Sequence, residues 1–373
     1  MNPAYKLADE ANVFSPSLVF FPELIQRNIA RVIEMAGGAE RLRPHVKTHK
    51  TREITRMMLD AGITKQKCAT IAEAEMLAGC GVPDVLIAYP LVGPNVQRLV
   101  ELLQKFPATR FSCLIDHPDS AKALSQGIHA AGQMVDFVLD LDVGQHRTGI
   151  AVGDAALALY EMATHLPGLR PSGFQAYDGH NHQESIAERE AAVRALLAPV
   201  LDLRAKAEAK RLPVPRLICG GTPTFPIFAR LRDVPGIECS PGTFVLHDAG
   251  YGGRYSDLAG FTPAAVLVTR VVSRPTPNRV TLDLGNKSVA ADPILTKRVT
   301  LLDFPEYTTV GHNEEHLIVE TEGAARYKPG DVVYALPGHI CPTVALHRDV
   351  LIASEGKIVG KWPVASRDRV LTV

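Results

Sequence analysis

Between residues 41 and 50 the chain reads RLRPHVKTHK, where arginine, histidine and lysine recur at every second position. Strand alternation would place Arg43, His45 and Lys47 on one face, and Leu42, Pro44 and Val46 on the other. A lysine at the end of such a strand, turned into a cleft, loses part of its hydration. Desolvation disfavours the ammonium form, so the amine becomes a nucleophile able to capture a carbonyl group as a Schiff base. Lys47 is the candidate for that chemistry.

Other residue groups suit different tasks. Glycine-rich turns at 219–224 (CGGTPT) and 240–244 (SPGTF) allow close backbone approach and offer N–H donors to a phosphate, with Gly220, Gly221, Thr222, Gly242 and Thr243 as the candidates. In QAYDGHNH (175–182), Tyr177 is a candidate ring contact and equally a packing residue. His180, with His182 as its alternative, could exchange a proton with a hydroxyl or be a solvated loop residue. In LPGHICPTVAL (336–346), His339 and Cys341 stand two apart, so in extended chain both side chains point the same way. Two adjacent N/S ligands with open positions suit a catalytic metal, and a thiolate with an imidazole favours Zn²⁺.

Positioning these groups requires a scaffold. Candidate strands at 41–48, 66–70, 84–89, 110–116, 136–142, 170–177, 216–220 and 237–240 alternate with helical patterns such as Gly93–Phe106, Asp119–Ala131 and Ile186–Leu212. Eight βα units over roughly 200 residues match the size of a (β/α)8 TIM-like barrel, whose active site lies at the C-terminal ends of the strands. An open doubly wound sheet is the competing arrangement, but it does not require eight units. The glycine turns then follow strands seven and eight, where such barrels often bind phosphate.

Beyond about residue 250 the helical pattern gives way to β-branched runs at 266–272, 279–284, 316–320, 331–336 and 350–352, punctuated by PTPN and KPGD. The expected division is an α/β barrel over 22–248 and an all-β C-terminal domain over 249–373, joined by the apolar run 17–21.

The 373 residues carry 40 Lys+Arg and 40 Asp+Glu, a balance that provides no electrostatic footprint for nucleic acid or an anionic membrane surface. Six scattered cysteines read as free thiols of a reducing compartment. No signal-peptide pattern and no apolar run of about 18 residues is present, so a cytoplasmic location is expected.

The heptapeptide PHVKTHK (44–50), the barrel pattern behind it and the β domain after it resemble the fold-type III pyridoxal phosphate enzymes. Within them the chain is similar to the D-threonine aldolase and D-serine dehydratase group, whose barrel is like that of alanine racemase. The resemblance covers nearly the whole chain. It implies that Lys47, not Lys50, carries pyridoxal 5'-phosphate, that Arg147 in LDLDVGQHRTGI (139–150) faces the phenolic oxygen, and that His339 and Cys341 hold a divalent metal, Zn or Mn.

The same resemblance implies a lyase acting on a small D-3-hydroxy amino acid, as a homodimer. The first expectation is retro-aldol cleavage of D-threonine-type substrates. Dehydration of D-serine or D-3-hydroxyaspartate is the alternative. Cys341 departs from the His-x-carboxylate pattern of the aldolases and matches the dehydratases. An amino-acid racemase and a non-catalytic cofactor-carrier protein are further readings. Asp283, Lys287 and His316 are candidate supports for the metal pair or, alternatively, stabilisers of the β domain.

Overall fold

Strands 217–219 and 237–239 are only three residues long and fully buried, as expected where helices cover one face of a sheet and side chains fill the other. The computed structural model describes residues 1–373. Contacts divide the chain into two units that are discontinuous in sequence: Ala30–Lys47, Arg52–Gly242 and Asp368–Val373 form one, and Met1–Ile29, Thr48–Thr51 and Thr243–Arg367 form the other.

The first unit is the barrel. Its parallel strands run Lys65–Cys68, Asp84–Pro90, Arg110–Ile115, Val135–Asp142, Leu169–Ala176, Leu217–Cys219 and Ile237–Cys239 in spatial order, with Ile150–Ala151 beside Val135–Asp142. Helices return the chain between them. Ile71–Gly79 starts at Thr70, whose side chain accepts from Glu73 N, and Ile186–Ala209 starts at Ser185, which accepts from Glu188 N. Both are S/T-x-x-E starts.

Residues 41–48 correct the expectation of a regular first strand. Leu42 bridges Cys239 and His45 bridges Lys67, both in parallel sense, so the segment still closes the barrel between its two outer strands. Pro44 has no N–H to give to a ladder. Just after it, the Lys47 N–H donates to His45 Nδ1 at 3.2 Å, and Val46–Thr48 winds into a 3-10 turn. Lys47 therefore reaches the mouth from a turn.

Alternation along Val135–Asp142 reads out the barrel interior. Asp136 lies at the lower end, where Arg216 approaches it at 3.7 Å. Val138 joins Leu86, Leu114 and Ile218 in an apolar layer, four side chains from four strands. Asp140 lies above them at the mouth. Arg43, fully buried, closes the lower end through Glu238 at 2.5 Å and Asp84 at 2.8 Å. Removing one partner of such a buried network costs roughly 3–5 kcal/mol, because the remaining charge is left uncompensated.

The second unit is a nine-stranded sheet. Ser17–Phe20 lies at its centre, antiparallel to Ala265–Ser273 and parallel to Asp349–Ser354. Strands Val299–Leu302, Thr308–His312 and Lys357–Pro363 join those expected from the sequence. One helix, Ile340–Leu346, interrupts the β pattern, so His339 and Cys341 are not in extended chain. No helix is long and apolar enough to cross a membrane.

Candidate active site

Three cationic side chains converge on one aromatic ring at the barrel mouth. Lys47 Nζ lies 5.8 Å from the Tyr177 ring centroid, Lys67 Nζ 5.7 Å and Arg147 Cζ 5.3 Å. Tyr177 follows strand Leu169–Ala176, and two glycines pack against it. A Cβ at Gly179 would lie 2.5 Å from the ring, and one at Gly221 would lie 3.2 Å from it. Only hydrogen fits at the first position without displacing the tyrosine.

The turns after the last two strands are tied together. Gly220 adopts φ +77°, a conformation that favours glycine. The Gly221 N–H donates to Thr224 Oγ1 at 3.2 Å, and that hydroxyl donates to buried Asp178 at 2.9 Å. The Gly242 N–H donates to Thr222 Oγ1 at 3.2 Å, while buried Ser240 Oγ has no partner. Thr243 falls in the second unit, with its hydroxyl 3.7 Å from Cys341 Sγ. A partnerless hydroxyl between glycine turns, with cations on a neighbouring ring, fits a phosphorylated, aromatic aldehyde cofactor.

Asp140 accepts from Gln175 Nε2 at 2.9 Å and Thr148 Oγ1 at 3.0 Å, and burial raises its pKa above the usual carboxylate range. These residues, with Arg147 and Tyr177, line a cavity of about 30 Å³. Lys67 was not among the residues singled out from sequence. It is 3% exposed, and burial foremost, then the Lys47 charge, lowers its pKa to about 7. Alternation on KQKC places it on one face of the strand, but the residues alone do not say that this face is the barrel interior.

His180 is exposed and makes no hydrogen bond through its ring, which lies close enough to Gly144 that a Cβ there would be 3.0 Å from Nε2. His182 is exposed too.

In the second unit, His339 Nδ1 donates to Asp292 Oδ2 at 2.6 Å. His339 stands at the N-cap position of helix Ile340–Leu346, whose first N–H donates instead to Asp248 at 3.0 Å. Cys341 Sγ lies 3.1 Å from Thr48 Oγ1. Burial alone would raise the Cys341 thiol, but hydrogen bonding from His339 outweighs it and holds the thiol below its usual range. Burial would lower the His339 pKa, yet Cys341 and then Asp292 push it up to about 9.

A carboxylate that fixes the ring through Nδ1 orients Nε2 away from it, the arrangement usual in a metal-binding histidine. The donor set fits a soft divalent metal with open positions. No group of three or more His, Cys, Asp or Glu side chains forms a fuller cage.

Of the other expected supports, Asp283 instead accepts from Thr269 Oγ1 and Arg270 N at 2.6 and 2.7 Å. Lys287 pairs at the surface with Glu314 and Glu315, and His316 is exposed. Asp292 takes the place expected of them. Its partner is 47 positions away, and no short-range pattern marks it.

Residues 22–237 match the family model described as "Alanine racemase, N-terminal domain", and residues 264–353 match "Putative serine dehydratase domain". The D-threonine aldolase of Arthrobacter sp is 30% identical over 370 residues, 96% of this chain and 93% of that protein. The D-threo-3-hydroxyaspartate dehydratase of Delftia sp. (strain HT23) is 25% identical over 358 residues, 89% of this chain and 92% of that protein. The crystal structure of D-threonine aldolase from Filomicrobium marinum matches with a TM-score of 0.88 at 26% identity, over 97% of each chain.

Proposed function

The chain belongs to the fold-type III pyridoxal phosphate enzymes of the D-threonine aldolase and D-serine dehydratase group, with the alanine racemase-type barrel, and from that premise we propose that it cleaves D-threonine-type 3-hydroxy amino acids to glycine and an aldehyde. One observation carries the reading: a chain that aligns almost end to end with a D-threonine aldolase holds the Lys47 amine on the Tyr177 ring, ahead of two glycine turns. The two named relatives, a D-threonine aldolase and a D-threo-3-hydroxyaspartate dehydratase, support a lyase of D-hydroxy amino acids.

Lys47 is the residue assigned to hold the cofactor covalently, because its amine is half-buried and flanked by other cations. Gly220, Gly221, Thr222, Gly242 and the Ser240 hydroxyl are assigned to its phosphate, Thr243 to the edge of that site, Arg147 to its phenolic oxygen and Tyr177 to its ring. Bound pyridoxal phosphate supplies an electron sink to the substrate's α-carbon. His339 Nε2 and Cys341 Sγ would hold a Zn or Mn ion, whose chemistry is to lower the pKa of a bound hydroxyl. His180 is assigned to take the proton of the β-hydroxyl, and His182 is its alternative.

Cys341 favours a second reading, dehydration of D-serine or D-3-hydroxyaspartate to a keto acid and ammonia. There the Lys47 amine would take the α-proton and the hydroxyl would leave as water. Incubating D-threonine and D-serine separately with the metal- and cofactor-loaded protein distinguishes the two. Aldehyde with glycine from D-threonine supports the aldolase, whereas keto acid and ammonia without aldehyde overturn it in favour of the dehydratase.

A further inference from the structure

The barrel mouth holds a second amine with no partner. Lys67 comes from strand Lys65–Cys68, is 3% exposed, and forms neither a hydrogen bond nor an ion pair through its side chain, resting instead on the Tyr177 ring. Burying an ammonium without an anion is costly, so a lysine kept in this position implies a negative group that arrives with a ligand. The surroundings point the same way. Lys47, Arg43 and Arg147 bring positive charge, and the one nearby carboxylate, Asp140, already accepts from Gln175 and Thr148.

The anions of a pyridoxal phosphate enzyme can be assigned in turn. The proposed phosphate site lies on the turns after Leu217–Cys219 and Ile237–Cys239, and Arg147 approaches from the loop after Val135–Asp142. Lys67 belongs to neither group, because its strand lies on the far side of the 42–45 bridge segment from Ile237–Cys239. The one obligatory anion left over is the carboxylate that every amino-acid substrate carries. We infer that Lys67 is a specificity-determining residue of the barrel mouth, whose amine receives the substrate's α-carboxylate. The inference rests on the functional reading above and adds to it the group that distinguishes an amino acid from a simple amine.

The test compares D-alanine with D-alaninol, which carries a CH2OH group in place of the carboxylate. Each is titrated into the cofactor-loaded enzyme and followed through the visible absorbance of the bound cofactor. Wild type should prefer D-alanine by about 10- to 100-fold, the range of a charge-assisted hydrogen bond. Lys67→Met and Lys67→Gln should abolish that preference by weakening D-alanine alone, with D-alaninol and cofactor affinity unchanged, and Lys67→Arg should retain part of it.

A preference that survives in both uncharged variants overturns the inference. So does a loss of cofactor affinity with the preference intact, which would assign Lys67 to the phosphate or phenolic oxygen. Failure of the wild type to take up cofactor at all would overturn the functional reading together with the inference, whereas the first two outcomes leave that reading standing.

Discussion

Lys47 and Lys67 share one aromatic ring, with their amines 5.8 and 5.7 Å from the centroid of Tyr177. Two lysines on one ring set up a division of labour. Lys47 sits on a 3-10 turn at the barrel rim, where its amine is half-exposed. Lys67 rises from a strand and is buried. In the proposed function Lys47 would bond covalently, and Lys67 is inferred to hold charge.

That division predicts different losses. Lys47→Ala should abolish the visible absorbance of covalently held cofactor, while Lys67→Met should keep it. The spectra of the two purified variants after cofactor loading are the check. A retained band in Lys47→Ala would move the anchor elsewhere.

Lys67 also makes stability depend on pH. Its folded-state pKa, about 7, lies below its ordinary value of 10.5, because burial and the Lys47 charge oppose protonation. Between those values the unfolded chain binds more protons, so this residue's destabilising contribution is full below about pH 7 and fades as pH rises towards 10.5. Lys67→Met should therefore raise the apo-protein Tm at pH 6 by several degrees, at roughly 2–4 °C per kcal/mol, and much less near pH 10. Thermal melts at the two pH values measure it, and a gain that grows with pH would contradict the assignment.

The glycines behind Tyr177 should rank by available space. Gly179→Ala places a Cβ 2.5 Å from the ring, whereas Gly221→Ala places one at 3.2 Å, a distance a small shift can absorb. Cofactor affinity should fall more in the first variant, as read by equilibrium titration. Equal losses would mean that the ring position does not matter to binding.

Asp292 should act on the metal and not on the cofactor. Removing a carboxylate that orients a ligating imidazole typically costs 10–100-fold in metal affinity. Asp292→Ala should show a loss of about that size in competition with a chelator, with cofactor uptake unchanged. Unaltered metal affinity would remove His339 from the ligand set.

Much of this was legible in the sequence where one physical signal dominated. The strands Asp84–Pro90, Arg110–Ile115 and Val135–Asp142 appear as apolar runs because both of their faces are covered. The sequence singles out Lys47 as a candidate, but it does not reveal the conformation of its segment. Alternation favoured a strand, whereas Pro44 and the His45 ring turn the backbone just before the lysine.

Helix Ile340–Leu346 escaped because its seven residues span fewer than two full turns, and Pro342 within it reads as a breaker. Strand Lys357–Pro363 escaped because it is an edge strand, largely exposed and pairing on one side only. Lys67 and Asp292 depend on tertiary neighbours, a burial and a distant histidine, that local pattern does not encode.

The central claim is retro-aldol cleavage anchored at Lys47, and product analysis on D-threonine tests it most directly. Enzyme loaded with pyridoxal phosphate and Mn²⁺ or Zn²⁺ should release glycine and acetaldehyde in equal amounts, and Lys47→Ala should release neither. Ammonia and a keto acid in place of acetaldehyde, or acetaldehyde undiminished in Lys47→Ala, would contradict it.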